Sequence, residues 1–223
     1  MPRPARLVIQ KFQRALLAWY GRHGRDLPWR RTRVPYRVLV SEIMLQQTQV
    51  ERVVPKYREF LRAFPSLRAL AAADVADVQR LWYPLGYNIR PVRLHAIARE
   101  TVARYNGRLP DDGDALRALP GIGRYTAGAL LPFAYGRDAA ILDTNVRRVL
   151  GRVFFGPRRL ARIRGDRRFW ELAEALVPRG RCYDFNQALM DFGATWCTPR
   201  APRCRRCPLR TLCATYPTAA RER

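Results

Sequence analysis

The sequence predicts an all-α protein. Three observations carry that expectation. Apolar residues recur at three- and four-residue steps through most of the chain, and no segment alternates as a strand would. Turn-forming clusters such as Arg25-Asp26-Leu27-Pro28, Gly107-Arg108-Leu109-Pro110 and Pro120-Gly121-Ile122-Gly123 separate the periodic stretches.

The elements follow in order. A first helix is expected over 6–20, where apolar residues recur at three- and four-residue steps. A second is expected over 36–51, with Val38-Leu39-Val40 and Ile43-Met44-Leu45 on either side of Glu42. The same periodicity predicts helices over 53–63, 67–72, 75–84 and 90–105. A short helix over 113–118 opens on the Asp111-Asp112 capping region, and a longer one over 124–135 begins near Arg124. Pro132 inside it removes a helical hydrogen bond and predicts a kink. Asp143 stands as N-cap of a helix over 143–153 that buries Val146 and Val149, and helices over 168–176 and 184–194 complete the set. No repeat or low-complexity linker divides the chain, so any division into domains must come from packing.

With 223 residues and 48% hydrophobic side chains, the chain can bury one substantial core or two small ones. No stretch approaches the roughly 18 apolar residues of a membrane span, and the N-terminus lacks the pattern of a cleaved secretion signal. The net charge of +24 is spread along the whole chain and points to a polyanionic partner, nucleic acid first. A genome that favours arginine accounts for part of the excess, since only Lys11 and Lys56 among 42 basic residues are lysines. Any chemistry that needs a Schiff base to lysine has only those two candidates.

Four cysteines close the chain as Cys197-x6-Cys204-x2-Cys207-x5-Cys213. Thiols this densely spaced suit a metal centre in a reducing cytoplasm better than disulfides. Iron–sulfur and tetrahedral zinc both take four thiolates, but zinc modules more often present two Cys-x2-Cys knuckles and one such pair occurs here. Cys182 falls outside the pattern and reads as a buried or free thiol.

The run Leu119-Pro120-Gly121-Ile122-Gly123-Arg124-Tyr125-Thr126-Ala127-Gly128 reads as helix, glycine hairpin, helix. Glycines let the backbone approach a phosphate, and the amides at a helix N-terminus add partial positive charge for it. Gly121, Ile122, Gly123 and Arg124 are therefore candidate phosphate contacts, although Pro-Gly-x-Gly also makes an ordinary tight turn between packed helices.

This hairpin, the stretch Leu142-Asp143-Thr144-Asn145-Val146-Arg147-Arg148-Val149 and the four-cysteine run together resemble the helix-hairpin-helix DNA glycosylases of the endonuclease III superfamily, over nearly the whole chain. Ser41-Glu42-Ile43-Met44-Leu45-Gln46-Gln47-Thr48-Gln49-Val50 is similar to the MutY adenine glycosylases, and Phe185-Asn186-Gln187-Ala188-Leu189-Met190-Asp191-Phe192-Gly193-Ala194 resembles both MutY and the mismatch-specific thymine glycosylases. The resemblance implies two helical subdomains with a DNA-binding cleft: a six-helix one over 25–135 holding the hairpin at about 113–135, and a second joining 1–24 to 136–223 with a [4Fe–4S] cluster on Cys197, Cys204, Cys207 and Cys213.

Breaking an N-glycosidic bond needs an acid for the leaving base and negative charge beside the cationic sugar, a division of work that suits two carboxylates. Glu42, in an apolar stretch where desolvation would keep its proton available, is the expected acid, and Asp143 the expected catalytic aspartate, a role that can coexist with capping. Tyr125 stands where the strand-cleaving branch of the family has its lysine, which predicts a monofunctional enzyme without lysine-dependent lyase activity. The resemblance places Leu45, Gln47 and Tyr87 among intercalating side chains, and Arg25, Trp29, Asn145 and Gln187 among those of the base pocket. Gln187 and the Gln46-to-Gln49 run lean toward adenine. Tyr125 and Trp170-Glu171-Leu172-Ala173-Glu174-Ala175-Leu176-Val177-Pro178 lie closer to the thymine enzymes.

The expected activity is excision of adenine from A·G or A·8-oxoG mispairs by a monomer acting on double-stranded DNA in the cytoplasm at the nucleoid, with thymine or uracil opposite guanine as the alternative. The sequence stops shortly after Cys213, before any counterpart of the C-terminal 8-oxoguanine-recognition domain of MutY proteins. A non-catalytic DNA-binding module is the alternative of another class. It would need neither Glu42 nor Asp143.

Overall fold

The computed structural model describes residues 4–216. They are helical and carry no β-strand. Twelve α-helices run in chain order: α1 Arg6–His23, α2 Pro35–Leu45, α3 Val50–Ala63, α4 Leu67–Ala72, α5 Val75–Trp82, α6 Ile89–Tyr105, α7 Gly113–Arg117, α8 Arg124–Ala134, α9 Thr144–Leu150, α10 Gly156–Leu160, α11 Arg167–Leu176 and α12 Cys182–Thr195. The chain divides into two compact units, one of residues 26–135 and one joining the N-terminal segment through Arg25 to Gly136 and beyond.

In the 26–135 unit, α4 and α5 pack on α6, while α2 packs on α3 and α8. Its core holds Leu39, Val40, Met44, Phe60, Leu70, Trp82, Leu94, Ile97 and Leu130, each at most 1% exposed. Phe60 meets Trp82 edge to face with ring centroids 5.9 Å apart. Burial of such rings and branched chains supplies most of the driving force for packing helices this short, since isolated helices of under about 12 residues are marginal in water.

In the other unit, α1 lies along α12, and α12 along α9. The buried face of α1 carries Phe12, Leu16 and Trp19: Phe12 meets Phe185 at 6.1 Å, and Trp19 meets Phe192 at 5.0 Å. At the α9 crossing Gly193 is obligatory, because a Cβ there would lie 2.7 Å from Asn145 Cβ and 3.0 Å from its carbonyl oxygen.

Two differences from the sequence expectation are informative. The single helix expected over 36–51 is two, because α2 stops at Leu45 and Gln47 turns into the left-handed region at φ 54°. The helix expected over 143–153 ends at Leu150 and passes through a π-turn, Gly151–Phe155, to α10. There the carbonyls of Arg152 and Val153 accept the amides of Thr215 (3.1 Å) and Ala214 (2.9 Å), which fastens the end of the cysteine loop. By contrast α8 runs on through Pro132 to Ala134, where Arg33 Nη1 donates to the carbonyls of Pro132 and Phe133.

Candidate functional site

Pro35 opens α2 at a position where its missing N–H costs nothing, and the helix buries nearly its whole circumference. Glu42 is carried inside with it and is only 5% exposed. A carboxyl does not stay in such surroundings without polar partners. One comes from the hairpin: Tyr125, in the first turn of α8, donates its hydroxyl to Glu42 Oε2 at 3.0 Å.

The hairpin is set by its ends. Asp112 caps α7 through the amides of Asp114 (3.0 Å) and Ala115 (2.9 Å). Gly121 takes φ 79°, a left-handed turn suited to glycine. Ile122 points inward at 5% exposure and its amide donates to Leu119 O at 3.2 Å, so it anchors the turn while Gly121, Gly123 and Arg124 face solvent. The N-cap of α8 is Gly123, which has no side chain to bond the first amides.

Further along the same unit, Leu45 is half-buried at the end of α2. Gln47 is exposed, as is Tyr87 at 58%, with φ 51°. Trp29 is buried in a 3₁₀ turn, Pro28–Arg31, with its ring edge-on to Tyr57 at 5.5 Å.

In the other unit Asp143 is the N-cap of α9, accepting Val146 N at 2.6 Å and Asn145 Nδ2 at 2.9 Å. Burial pushes its carboxyl up from the usual range, and these donors together with the Arg148 charge act against that shift. Arg148, singled out by nothing in the sequence, ties the region together. It donates to Asn145 Oδ1 (2.7 Å), to Gly193 O (2.7 Å) and, through Nε, to Cys197 O (2.9 Å).

Gln187 is 4% exposed on α12, and its side-chain oxygen has no hydrogen-bond partner. Arg25, expected to line the base pocket, pairs with fully buried Asp191: its backbone N and Nε donate at 2.9 and 2.7 Å, and Nη2 lies 2.6 Å from Oδ1. Asp191 itself was missed, because an aspartate between Met190 and Phe192 carries no local signal of its partner.

Cys197, Cys204, Cys207 and Cys213 are free thiols around one cavity of about 240 Å³, walled also by Phe192, Trp196 and Arg152. Burial, and then the neighbouring thiols, push Cys207 up to about 12, so thiolates here call for a positive centre in the cavity. Among the described residues no three His, Cys, Asp or Glu side chains converge closely enough for a single metal ion. Four thiols lining one cavity are a donor set that an iron–sulfur cluster or a tetrahedral zinc would take. Arg152 braces the wall, donating to Thr198 O at 2.7 Å and Pro199 O at 2.9 Å.

Comparison with known proteins agrees with this arrangement. Residues 40–175 match the family model "HhH-GPD superfamily base excision DNA repair protein". The chain is 42% identical to human adenine DNA glycosylase over 92% of its own length and 39% of that protein's, so it spans about two fifths of that relative. It is 40% identical to the thymine/uracil-DNA glycosylase of Pyrobaculum aerophilum, covering 96% of this chain and 95% of that one. Among solved structures, a thermostable thymine-DNA glycosylase superposes with a TM-score of 0.89 at 35% identity, over 95% of this chain and 98% of that one. The chain belongs to the HhH-GPD superfamily of base excision DNA repair proteins.

Proposed function

We propose that this protein is a monofunctional DNA glycosylase that removes a mispaired base, adenine opposite guanine or 8-oxoguanine, from double-stranded DNA. The observation that carries the proposal is buried Glu42 held by the Tyr125 hydroxyl. A protein that only binds DNA does not require an acidic side chain at this place, and a base-excising enzyme requires an acid kept from water. In this reading Glu42 gives a proton to the leaving base as the bond from its nitrogen to C1′ breaks and the bonding pair goes to that nitrogen. Asp143 supplies negative charge to the cationic sugar, and water adds to C1′ with loss of one proton, which restores the Glu42 carboxyl and leaves an abasic site. Gln187 Oε1 is a buried acceptor with no partner, suited to an exocyclic amine of the extruded base. The tyrosine at 125, with lysine confined to Lys11 and Lys56, is the reason no lyase step is proposed.

The exposed amide end of α8, Gly123 and Arg124, would hold a DNA phosphate, and the +24 charge supplies the sequence-independent attraction. The four cysteines would hold a [4Fe–4S] cluster that shapes the arginine-rich loop for DNA contact and performs no redox step on the substrate. Iron and inorganic sulfide in equal amounts in the purified protein would support that assignment, and zinc without sulfide would refute it. The protein would act as a monomer at the cytoplasmic chromosome.

A second reading, thymine or uracil opposite guanine, rests on the end-to-end similarity to the Pyrobaculum thymine/uracil-DNA glycosylase. Single-turnover excision on A·8-oxoG, A·G, T·G and U·G duplexes separates the two. Fastest release of adenine supports the first, and release of thymine or uracil alone replaces it with the second.

A further inference from the structure

Arg90 is the one strongly basic side chain among the buried polar residues of the structure, at 3% exposure in the first turn of α6. Its surroundings contain no carboxylate partner. It donates instead to two separate turns. Nη1 serves the carbonyls of Ile43 (3.2 Å), Met44 (2.9 Å) and Gln46, which are left without helical partners where α2 ends. Nη2 serves Thr48 Oγ1 (3.0 Å) and, across the space between the turns, the carbonyls of Leu85 (3.2 Å) and Gly86 (3.0 Å).

Its guanidinium carbon also lies 5.4 Å from the Trp82 ring centroid, on the buried side, and 5.3 Å from that of Tyr87, on the exposed side. The two turns it joins each carry a non-glycine residue in the left-handed region, Gln47 at φ 54° and Tyr87 at φ 51°. Such conformations persist where the surroundings over-determine them. Here one planar fork does so for both, and both left-handed residues are exposed tips.

We propose that Arg90 is a positioning residue for base extrusion: it clamps the 46–48 and 85–87 turns into one rigid platform, so that Gln47 and Tyr87 enter the duplex as a single wedge. The inference rests on the glycosylase reading above, together with the expectation from the sequence resemblance that Gln47 and Tyr87 are intercalating side chains. Lysine cannot substitute fully, because an ammonium is a point donor that cannot serve two turns in one plane.

The test uses the full-length protein and the variants Arg90→Lys and Arg90→Met. Hydrogen exchange of the free protein should show residues 45–49 and 84–89 losing protection together in Arg90→Lys while α4 stays as in the wild type. Loosening of one turn alone, or of neither, would overturn the clamp. With 2-aminopurine at the mismatch, followed before excision, wild type should show a fluorescence rise on binding. Arg90→Lys should reduce that rise and slow single-turnover excision about tenfold, and Arg90→Met about 100-fold, with affinity for undamaged duplex kept within about twofold. Wild-type fluorescence and rate in Arg90→Lys would overturn the positioning role even if Arg90→Met does not fold. If wild type itself gives no rise, the wedge reading fails, while the exchange data still judge the clamp.

Discussion

Glu42 and Asp143, one in each compact unit, are held in opposite ways. Glu42 sits in the middle of a helix whose own amides are spent on the helical ladder, and a side chain brought from another helix, Tyr125, donates its hydroxyl to it. Asp143 sits at the start of a helix, where an unspent amide and the neighbouring Asn145 reach it directly and Arg148 stands behind them. The difference teaches a division of labour. A carboxyl at a helix N-terminus, served by an amide, an asparagine and an arginine charge, is suited to carry charge beside a cation, and one buried in mid-helix against a phenol hydroxyl is suited to handle a proton.

Replacing each carboxylate by its amide tests that division most severely. Glu42→Gln should lower single-turnover excision by up to about 10⁴-fold with duplex affinity retained, measured by gel-resolved abasic-site formation and by fluorescence anisotropy. Near-normal turnover would remove Glu42 from the chemistry. Asp143→Asn keeps the cap on Val146 but removes the charge, and should cost about 10³-fold; retained excision would leave Asp143 as a cap only. Tyr125→Phe takes away the hydroxyl that the hairpin helix donates to Glu42 and should cost about tenfold, with no change in the rate for Asp143→Asn beyond that factor if the two carboxylates are held independently.

The smallest effect concerns stability. Burial raises the folded-state pKa of Asp143 above its unfolded value. The protonated form therefore favours the fold, and that contribution is lost as pH rises from the ordinary aspartate range through the raised value. Asp143→Asn lacks this titration. Its Tm should gain on that of the wild type across the same interval and keep a constant offset above and below it. A variant Tm that instead falls relative to the wild type as pH rises would mean that the donors around Asp143 outweigh its burial.

Much of this was legible in the sequence, and the parts that were not have physical causes. Periodicity placed the helices because each buries one face. It failed at 46–49, where no glycine or proline marks the break and the turn depends on Arg90, far along the chain. The split of 143–153 depends on carbonyls used by Ala214 and Thr215. Glu42, Asp143 and the cysteines stood out by residue type and motif. Arg90, Arg148 and Asp191 did not, because each works through partners distant in sequence.

The central claim is that a buried, hairpin-held Glu42 makes this chain a glycosylase and more than a DNA clamp. The most direct measurement is single-turnover release of free base from an A·8-oxoG duplex by wild type and Glu42→Gln at matched occupancy. The account predicts release of adenine by the wild type, leaving an abasic site in an unbroken strand, and loss of release with binding intact in the variant. Equal release by both proteins would contradict it.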